Sequence, residues 1–186
     1  MRVITGRYKG RRLSTVRDLS VRPATDRVKQ TIFDILVTRM DLEGTAVLDL
    51  FAGSGSLGIE ALSRGAEHVD FVEQMEDAAD CIEQNLVALG CLQAASVWRM
   101  DAGHLIDTSG RVYDLIFADP PYEYLHTPDI PERVFSGKLL SPHGYLMIEH
   151  SRELIFATTQ RYQTGPERQF GRTMVTFFSH PDRIAN

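Results

Sequence analysis

Cysteine is scarce in this 186-residue chain, and Cys81 and Cys91 are ten residues apart without a CxxC pair. Neither a disulfide framework nor a zinc site is therefore indicated, and we expect no bound metal. No run approaches the roughly 18 uninterrupted apolar residues of a membrane span, and no apolar stretch follows the basic N-terminus as in a secretion signal. These absences favour a protein of the reducing cytoplasm.

Basic residues are fewer than acidic residues over the whole chain. There are 20 Lys and Arg against 25 Asp and Glu, which gives a net charge of -5. Taken alone, this balance argues against a nucleic-acid partner, because Lys and Arg drive phosphate binding. However, residues 1–39 hold ten bases and three acids, a net +7, whereas the other 147 residues hold 10 bases and 22 acids, a net -12. We therefore predict a basic N-terminal extension, residues 1–39, on an acidic domain, residues 40–186. A basic face that only contacts solvent is the alternative.

The extension combines turn signals with a helical pattern. Short β-favouring runs around Gly6 and Gly10 predict a β-hairpin, with strands at 3–5 and 13–16. The tip of this hairpin would carry four bases: Arg7, Lys9, Arg11 and Arg12. After Pro23, a helix is expected with Thr25 or Asp26 as its cap. Its apolar residues recur at helical spacing: Val28, Ile32, Phe33, Ile35 and Leu36.

Beyond residue 45, apolar runs alternate with amphipathic stretches. The apolar runs, at 46–48, 68–72, 96–98 and 114–118, have the length of buried strands. Helical periodicity occupies 56–64 and 75–89. Repeated strand and helix units of this kind form a doubly wound, mostly parallel sheet, so the predicted fold class is α/β. A helix at 131–139, a turn at 141–144, a strand at 145–149 and a hairpin with an antiparallel last strand at 173–178 would complete it.

A glycine-rich loop follows the first predicted strand. Gly53, Gly55 and Gly58 form a GxGxxG pattern between strand and helix, where the backbone can closely approach a ligand at the carboxyl edge of the sheet. Glu73, twenty residues after Gly53, follows the second strand and is placed to bind ribose hydroxyls. An adenosine-bearing cofactor is therefore predicted.

Asp49, just before this loop, favours S-adenosylmethionine over a dinucleotide. A pyrophosphate binds best at a helix N-terminus free of other anions, whereas S-adenosylmethionine carries a sulfonium and an ammonium that a carboxylate attracts. Asp101, which follows another predicted strand, is placed either to reach the adenine amino group or to cap a helix.

The segment Asp119-Pro120-Pro121-Tyr122 stands at the carboxyl end of a buried strand, on the same edge as the glycine loop. The two prolines fix the backbone. The Asp119 carboxylate and the Pro120 carbonyl can accept both hydrogens of an exocyclic amine, and Tyr122 offers a face for base stacking. Accepting these hydrogens turns the nitrogen lone pair toward a methyl donor, so positioning and electrostatics would carry the reaction.

Together these motifs resemble those of a known class of enzymes. Residues 49–55 and 119–122 resemble the class I S-adenosylmethionine-dependent methyltransferases that modify exocyclic nitrogens. The runs ITGRYKGRRL at 4–13 and RPATDRV at 22–28 are similar to the RsmD family of bacterial small-subunit rRNA guanine-N2 methyltransferases, and the resemblance covers about residues 1–180. Ala24 stands where the family is expected to have Thr, which leaves the capping role there open.

The resemblance implies a seven-stranded Rossmann-like sheet and methyl transfer to N2 of a guanine in 16S rRNA of the assembled 30S subunit, by a monomeric cytoplasmic enzyme. By position, it implies that the cofactor is bound by Asp49, Phe51, Ala52, Gly53, Gly55, Glu73 and Asp101. The catalytic set is Asp119, Pro120, Pro121 and Tyr122. Together with the charge of the extension, the resemblance assigns RNA binding to Arg7, Lys9, Arg11, Arg12 and Arg22.

Four other functions agree less well with these motifs. An N6-adenine methyltransferase also uses this tetrapeptide, but the DNA enzymes need a recognition domain, for which the 65 residues after Pro121 leave no room. A protein glutamine methyltransferase would begin the motif with Asn in place of Asp119. A NAD-linked oxidoreductase would leave the tetrapeptide and the +7 extension unexplained, and a non-catalytic RNA-binding module would leave the glycine loop without a purpose.

Overall fold

A computed structural model describes residues 1–16 and 26–182 of the chain. The helices are α1 (Asp26–Leu36), α2 (Ser56–Ser63), α3 (Glu76–Leu89), α4 (Ala102–Thr108) and α5 (Ile130–Ser136), with 3-10 turns at Leu92–Ala94 and Thr127–Asp129. The strands are β1 (Ala46–Leu50), β2 (His68–Val72), β3 (Ala95–Trp98), β4 (Tyr113–Ala118), β5 (Leu140–Ser151), β6 (Gln163–Phe170) and β7 (Thr173–Ser179). Within the described ranges, no helix has the length and apolar content needed to cross a bilayer.

The seven strands form one sheet in the order β3-β2-β1-β4-β5-β7-β6. Strands β1 to β5 run parallel, and β7 pairs antiparallel with both β5 and β6. The predicted fold class is confirmed, including the antiparallel last strand. The order reverses between β1 and β4, and a ligand crevice opens at the carboxyl ends of the strands at such a switch point.

Two apolar layers cover the two faces of the sheet. One contains α1, α2 and α3, and there Phe33 of α1 packs on Phe117 of β4 with ring centroids 5.7 Å apart. The other contains α4 and α5, with Val134 fully buried against the sheet. Because each such side chain contributes about 1.5–3 kcal/mol on burial, these faces hold the helices in place.

The strand β5 departs from the sequence-based expectation. Residues 141–144 were predicted as a turn before the strand, but they lie within β5 itself, so this prediction was wrong. The pairing with β4 shifts register between Tyr113 and Leu115, which lets the strand bend while it stays paired. A Cβ at Gly144 would collide with the Asp114 carbonyl, so glycine permits this close pairing. The turn signals therefore mark the residues of β5 that this register shift leaves between Leu140 and Tyr145.

The hairpin expected in the extension is present in a short form. Arg2 and Arg12 form an antiparallel bridge, and the Val3 amide donates to the Arg11 carbonyl at 3.0 Å. The pairing therefore begins nearer the N-terminus than predicted. Val3 and Leu13 are buried in the same apolar layer as α1, so the extension and the sheet share a core. A domain boundary at residue 39 stays a prediction.

Candidate active site

The glycine loop lies between β1 and α2 at the carboxyl edge of the sheet. Gly53 and Gly55 have φ of 55° and 78°, in the left-handed region that glycine adopts readily. Phe51 has φ of 59°, which is uncommon for a non-glycine residue and is typical of functional sites. At Gly58, a Cβ would collide with the side chains of Phe71 and Val69, so this glycine lets α2 pack closely on β2.

Glu73 braces this loop from the end of β2. Its Oε2 accepts a hydrogen bond from the Gly53 amide at 2.8 Å, and its Oε1 accepts one from the Met75 amide at 2.9 Å. Each carboxylate oxygen retains a second lone pair for a further donor. The structure thus fixes Glu73 beside the loop, and the predicted contact with a ribose stays a prediction.

Asp49 is buried beneath the start of α2, with 2% of its surface exposed. Its Oδ2 accepts a hydrogen bond from the Gly58 amide at 2.9 Å. Burial raises the pKa of the Asp49 carboxyl to about 8 despite that hydrogen bond, and the nearby charge of Glu73 adds to the rise. A cation that approaches this carboxyl group would stabilise its charged form.

Asp119 follows β4, and Glu149 lies beside it on β5. Ala118 pairs in register with Ile148, so the next residues, Asp119 and Glu149, are direct neighbours with side chains on the same face. Burial and the charges of Glu149 and Asp49 raise the pKa of Asp119 well above its usual value. Burial also raises the pKa of Glu149 to about 6, and its Oε2 is enclosed without a hydrogen-bond partner among the described residues.

The carboxyl edge of the sheet is thus acidic and uncompensated. Within the described parts of the chain, no Lys, Arg or His nitrogen lies within 4.0 Å of the carboxylates of Asp49, Glu73, Asp119 or Glu149. The same residues contain no group of three His, Cys, Asp or Glu side chains that could hold a metal ion. Buried carboxylates without counter-ions are costly. The arrangement fits an extended organic cation such as S-adenosylmethionine.

Aromatic residues stand beside Asp119. Tyr122 is 64% exposed, and its hydroxyl lies 2.8 Å from the Thr173 Oγ1 on β7, so the ring is anchored while its surface stays accessible. Phe51 contacts Tyr124 edge to face, with ring centroids 4.9 Å apart. This contact joins the glycine loop to the segment that follows Pro121. The structure therefore brings the two predicted motifs together.

Asp101 caps α4, the second of the two roles considered for it. Its Oδ1 accepts a hydrogen bond from the His104 amide at 2.9 Å, and the side chain is exposed. The cap leaves Asp101 at the same edge as Glu73. Adenine binding by Asp101 stays a prediction.

The predicted RNA-binding residues of the extension are exposed where the structure describes them, but they lie apart from the carboxylates of the sheet edge. The Arg7 amide donates to the carbonyl of Ser63, the last residue of α2, at 2.6 Å. Since α2 has eight residues, this contact is about 12 Å along the helix from the glycine loop. The side chains of the predicted RNA-binding residues Arg7, Lys9, Arg11 and Arg12 reach solvent. The fifth predicted RNA-binding residue, Arg22, lies outside the described residues.

Comparison with known proteins decides the family. A family model described as Conserved hypothetical protein 95 matches residues 1–179, which include the extension as well as the sheet. The chain belongs to this family. Its predicted membership of the RsmD family is thereby confirmed, since curated relatives carry the name Ribosomal RNA small subunit methyltransferase D.

Individual relatives of this RsmD-family chain match over most of their length. The Bacillus subtilis protein YlbH is 40% identical over 157 residues, which cover 83% of this chain and 84% of that protein. Ribosomal RNA small subunit methyltransferase D of Haemophilus influenzae is 30% identical over 174 residues, covering 92% and 89%. The solved structure of Escherichia coli yhhF has a TM-score of 0.85 at 26% identity and covers 97% of both chains. The fold is that of the class I methyltransferases.

Two residues of this RsmD-family chain that matter at the site were missed in the sequence. Glu149 gave no signal, because only the register of β5 against β4 places it beside Asp119. Asn85 is buried within α3, donates to the carbonyls of Ser14 and Ser54 at 3.1 Å each, and accepts from the Ser14 amide at 2.8 Å. It therefore links the extension to the glycine loop. An asparagine on the inner face of an amphipathic helix was the available signal.

Proposed function

We propose that the chain transfers a methyl group from S-adenosylmethionine to the exocyclic N2 of a guanine in 16S rRNA of the small ribosomal subunit. One observation carries this proposal: Asp119 and Tyr122 stand beside a glycine loop whose carboxylates have no counter-ion among the described residues. Relatives named as rRNA small-subunit methyltransferases support rRNA as the substrate. We further propose that it acts as a cytoplasmic monomer, with the assembled 30S subunit as substrate.

The cofactor is assigned to the edge formed by β1, β2 and β3. When bound, S-adenosylmethionine supplies an electrophilic methyl group on a positively charged sulfur. Asp49 lowers the energy of a cation beside the loop, and its own charged form is stabilised in return. Gly53 and Gly55 let the backbone approach the ligand, Glu73 accepts from ribose hydroxyls, and Asp101 faces the adenine. Phe51 and Ala52 complete the loop.

The target base is assigned to the segment after β4. Asp119 and the Pro120 carbonyl accept the two amine hydrogens and hold the amine toward the methyl donor. Pro121 keeps this turn rigid, and Tyr122 stacks on the base, with its ring held by Thr173. These residues position the amine, and the proton that its nitrogen loses on methylation passes to the Asp119 carboxylate, so no strong base is required. Arg7, Lys9, Arg11, Arg12 and Arg22 bind RNA phosphates.

Methyl transfer to small subunits that lack the modification tests the proposal directly. The protein is incubated with such subunits and labelled S-adenosylmethionine, and the rRNA is digested to nucleosides. Labelled N2-methylguanosine is the expected product. Labelled N6-methyladenosine, or label only in DNA or protein, would overturn the assignment, and mapping the labelled position identifies the nucleotide.

Asp119→Ala separates the catalytic role from cofactor binding. Loss of one positioned partner of the reacting group should lower turnover about 100- to 1000-fold. Binding of S-adenosylhomocysteine, measured by calorimetry, should change less than about threefold, because that ligand does not need the amine acceptor. Asp119→Asn keeps one acceptor and should retain more activity. The exposed Asp182→Ala is the matched control, and equal turnover in Asp119→Ala and Asp182→Ala would refute the role.

A further inference from the structure

Glu149 is the one carboxylate at the site that the proposed mechanism leaves without a task. In the strand order β2-β1-β4-β5 it lies on the far side of β4 from the cofactor loop. Its nearest ionisable neighbour in the register is Asp119, one strand away. The position therefore lies beside Asp119, on the side away from the cofactor loop.

The carboxyl group of Glu149 is prepared to accept a hydrogen bond. Its Oε2 is enclosed and has no partner among the described residues, which is unusual for a buried polar atom. The residue as a whole is only partly buried and lies at the carboxyl edge of the sheet. The terminal torsion of Glu is broad, so either oxygen can be turned toward a ligand. In its ionised form the group acts only as an acceptor, and burial without a partner for Oε2 raises its pKa.

Two adjacent acceptors match one purine edge and conflict with the other. On guanine, the N2 amine and the N1–H are neighbouring donors. On adenine, the N6 amine donates, but the neighbouring N1 carries a lone pair and accepts. An ionised carboxylate therefore stabilises guanine at this position and repels adenine, and a mismatched buried polar group discriminates strongly.

We propose that Glu149 accepts the N1–H of the target guanine beside the amine held by Asp119, so that the Asp119–Glu149 pair selects guanine over adenine. This inference rests on the proposed function, because it concerns the base that the same site would hold. It assigns Glu149 as a residue that determines specificity. Asp119 alone does not discriminate, since both purines offer it an exocyclic amine.

Replacement of the mapped target guanine by 2-aminopurine tests the inference, because 2-aminopurine keeps the N2 amine but has a lone pair at N1. Semisynthetic 16S rRNA that carries either base is assembled into small subunits, and methyl transfer is measured with the full-length protein. For the wild type, kcat/KM should be about 10- to 100-fold higher on guanine. Equal values on the two substrates would overturn the inference.

Glu149→Gln provides the second arm of the experiment. The amide of Gln can donate to N1 of 2-aminopurine, so the preference for guanine should fall at least about tenfold relative to the wild type. The missing O6 of 2-aminopurine affects both enzymes alike and cancels in this ratio. A variant that slows on both substrates by the same factor would show a merely structural role and overturn the inference.

The controls separate this inference from the proposed function. Glu153→Gln changes an exposed carboxylate four residues further along and should keep the wild-type preference. Binding of S-adenosylhomocysteine to Glu149→Gln should stay within about twofold of the wild type. If Glu149→Gln does not fold, Glu149→Ala takes its place, and an unchanged preference for guanine in that variant would overturn the inference. If the wild type forms no N2-methylguanosine at all, the proposed function itself fails.

Discussion

The Lys29 ammonium and the Glu60 carboxylate lie 3.7 Å apart, and neither side chain has any exposed surface. Lys29 also donates to the Arg2 carbonyl at 2.7 Å and to the Ser56 hydroxyl at 3.1 Å. Glu60 accepts from the amides of Ile4 and Thr5 at 2.7 Å and 2.9 Å. Glu60 also pairs with Arg64 at 2.9 Å. The buried Lys29–Glu60 pair therefore joins both the first residues of the extension and its helix α1 to α2, behind the glycine loop.

Breaking this pair should destabilise the whole fold. Lys29→Met leaves Glu60 buried with Arg64, 2.9 Å away, as its remaining cationic partner, so the free energy of unfolding should fall by about 2–4 kcal/mol, and the Tm by about 4–16 °C. Urea or thermal unfolding measures the change. The exposed Glu43→Gln is the control and should stay within about 0.5 kcal/mol of the wild type. A loss below about 1 kcal/mol in Lys29→Met would show that the pair does not hold the extension.

Asp49→Asn should make the protein more stable but weaken cofactor binding. The pKa of Asp49 is about 8 in the fold against an ordinary 3.8, so the folded state binds the extra proton between those values. The free energy of unfolding contributed by this group therefore falls as the pH rises from about 4 to 8. The amide of Asn can still accept from Gly58, so at pH 8 the variant should gain about 1–2 kcal/mol.

Melting at pH 5 and pH 8 measures this effect, and the gain in Asp49→Asn should shrink at pH 5. Calorimetry with S-adenosylmethionine should show at least about tenfold weaker binding, because an attractive charge near the cation is lost. The exposed Asp182→Asn should change neither quantity. An Asp49→Asn variant that binds S-adenosylmethionine as the wild type does would reject a charge-based role for Asp49.

Neutralising the tip of the extension should weaken RNA binding through its salt dependence. Arg7→Gln with Lys9→Gln removes two exposed charges, while the backbone contact of residue 7 with Ser63 is kept. The plot of log affinity against log salt concentration should become less steep by about 1–2. Filter binding to 16S rRNA or to small subunits at several salt concentrations measures it. Lys138→Gln with Arg168→Gln removes the same charge elsewhere, and an equal change in that control would exclude a specific role for the tip.

The architecture was largely predictable because each element carries its own signal. The helical pattern of residues 56–64 predicted α2. The apolar run at 114–118 predicted β4, with Asp119 at its end. Since parallel strands end on one edge, the glycine loop and the tetrapeptide could be placed together before their contacts were known. These inferences needed local sequence and one rule of topology.

What escaped prediction depends on contacts between distant segments. The position of Glu149 beside β4 depends on a register shift in the pairing of β5 with β4. The residues at that shift, 141–144, were wrongly predicted as a turn. Glu60 and Lys29 are charged residues on amphipathic helices, where charge ordinarily indicates a solvent-facing side. Their burial follows only from the way the extension covers α2.

Residues 4–8 of the extension are attached to α2 through their main chain. The amides of Ile4, Thr5, Arg7 and Tyr8 donate to Glu60 and Ser63, and none of these bonds uses a side chain of the extension. Only Gly6 is constrained by space, because a Cβ there would collide with the Ser63 carbonyl. Among the tip bases, Arg11 also donates its guanidinium to the Ala88 carbonyl at 2.8 Å, whereas the main-chain bonds are kept when Arg7 or Lys9 is exchanged. If the tip binds RNA as proposed, a loop with the same backbone course and other side chains at these two positions would redirect the chain to another RNA surface.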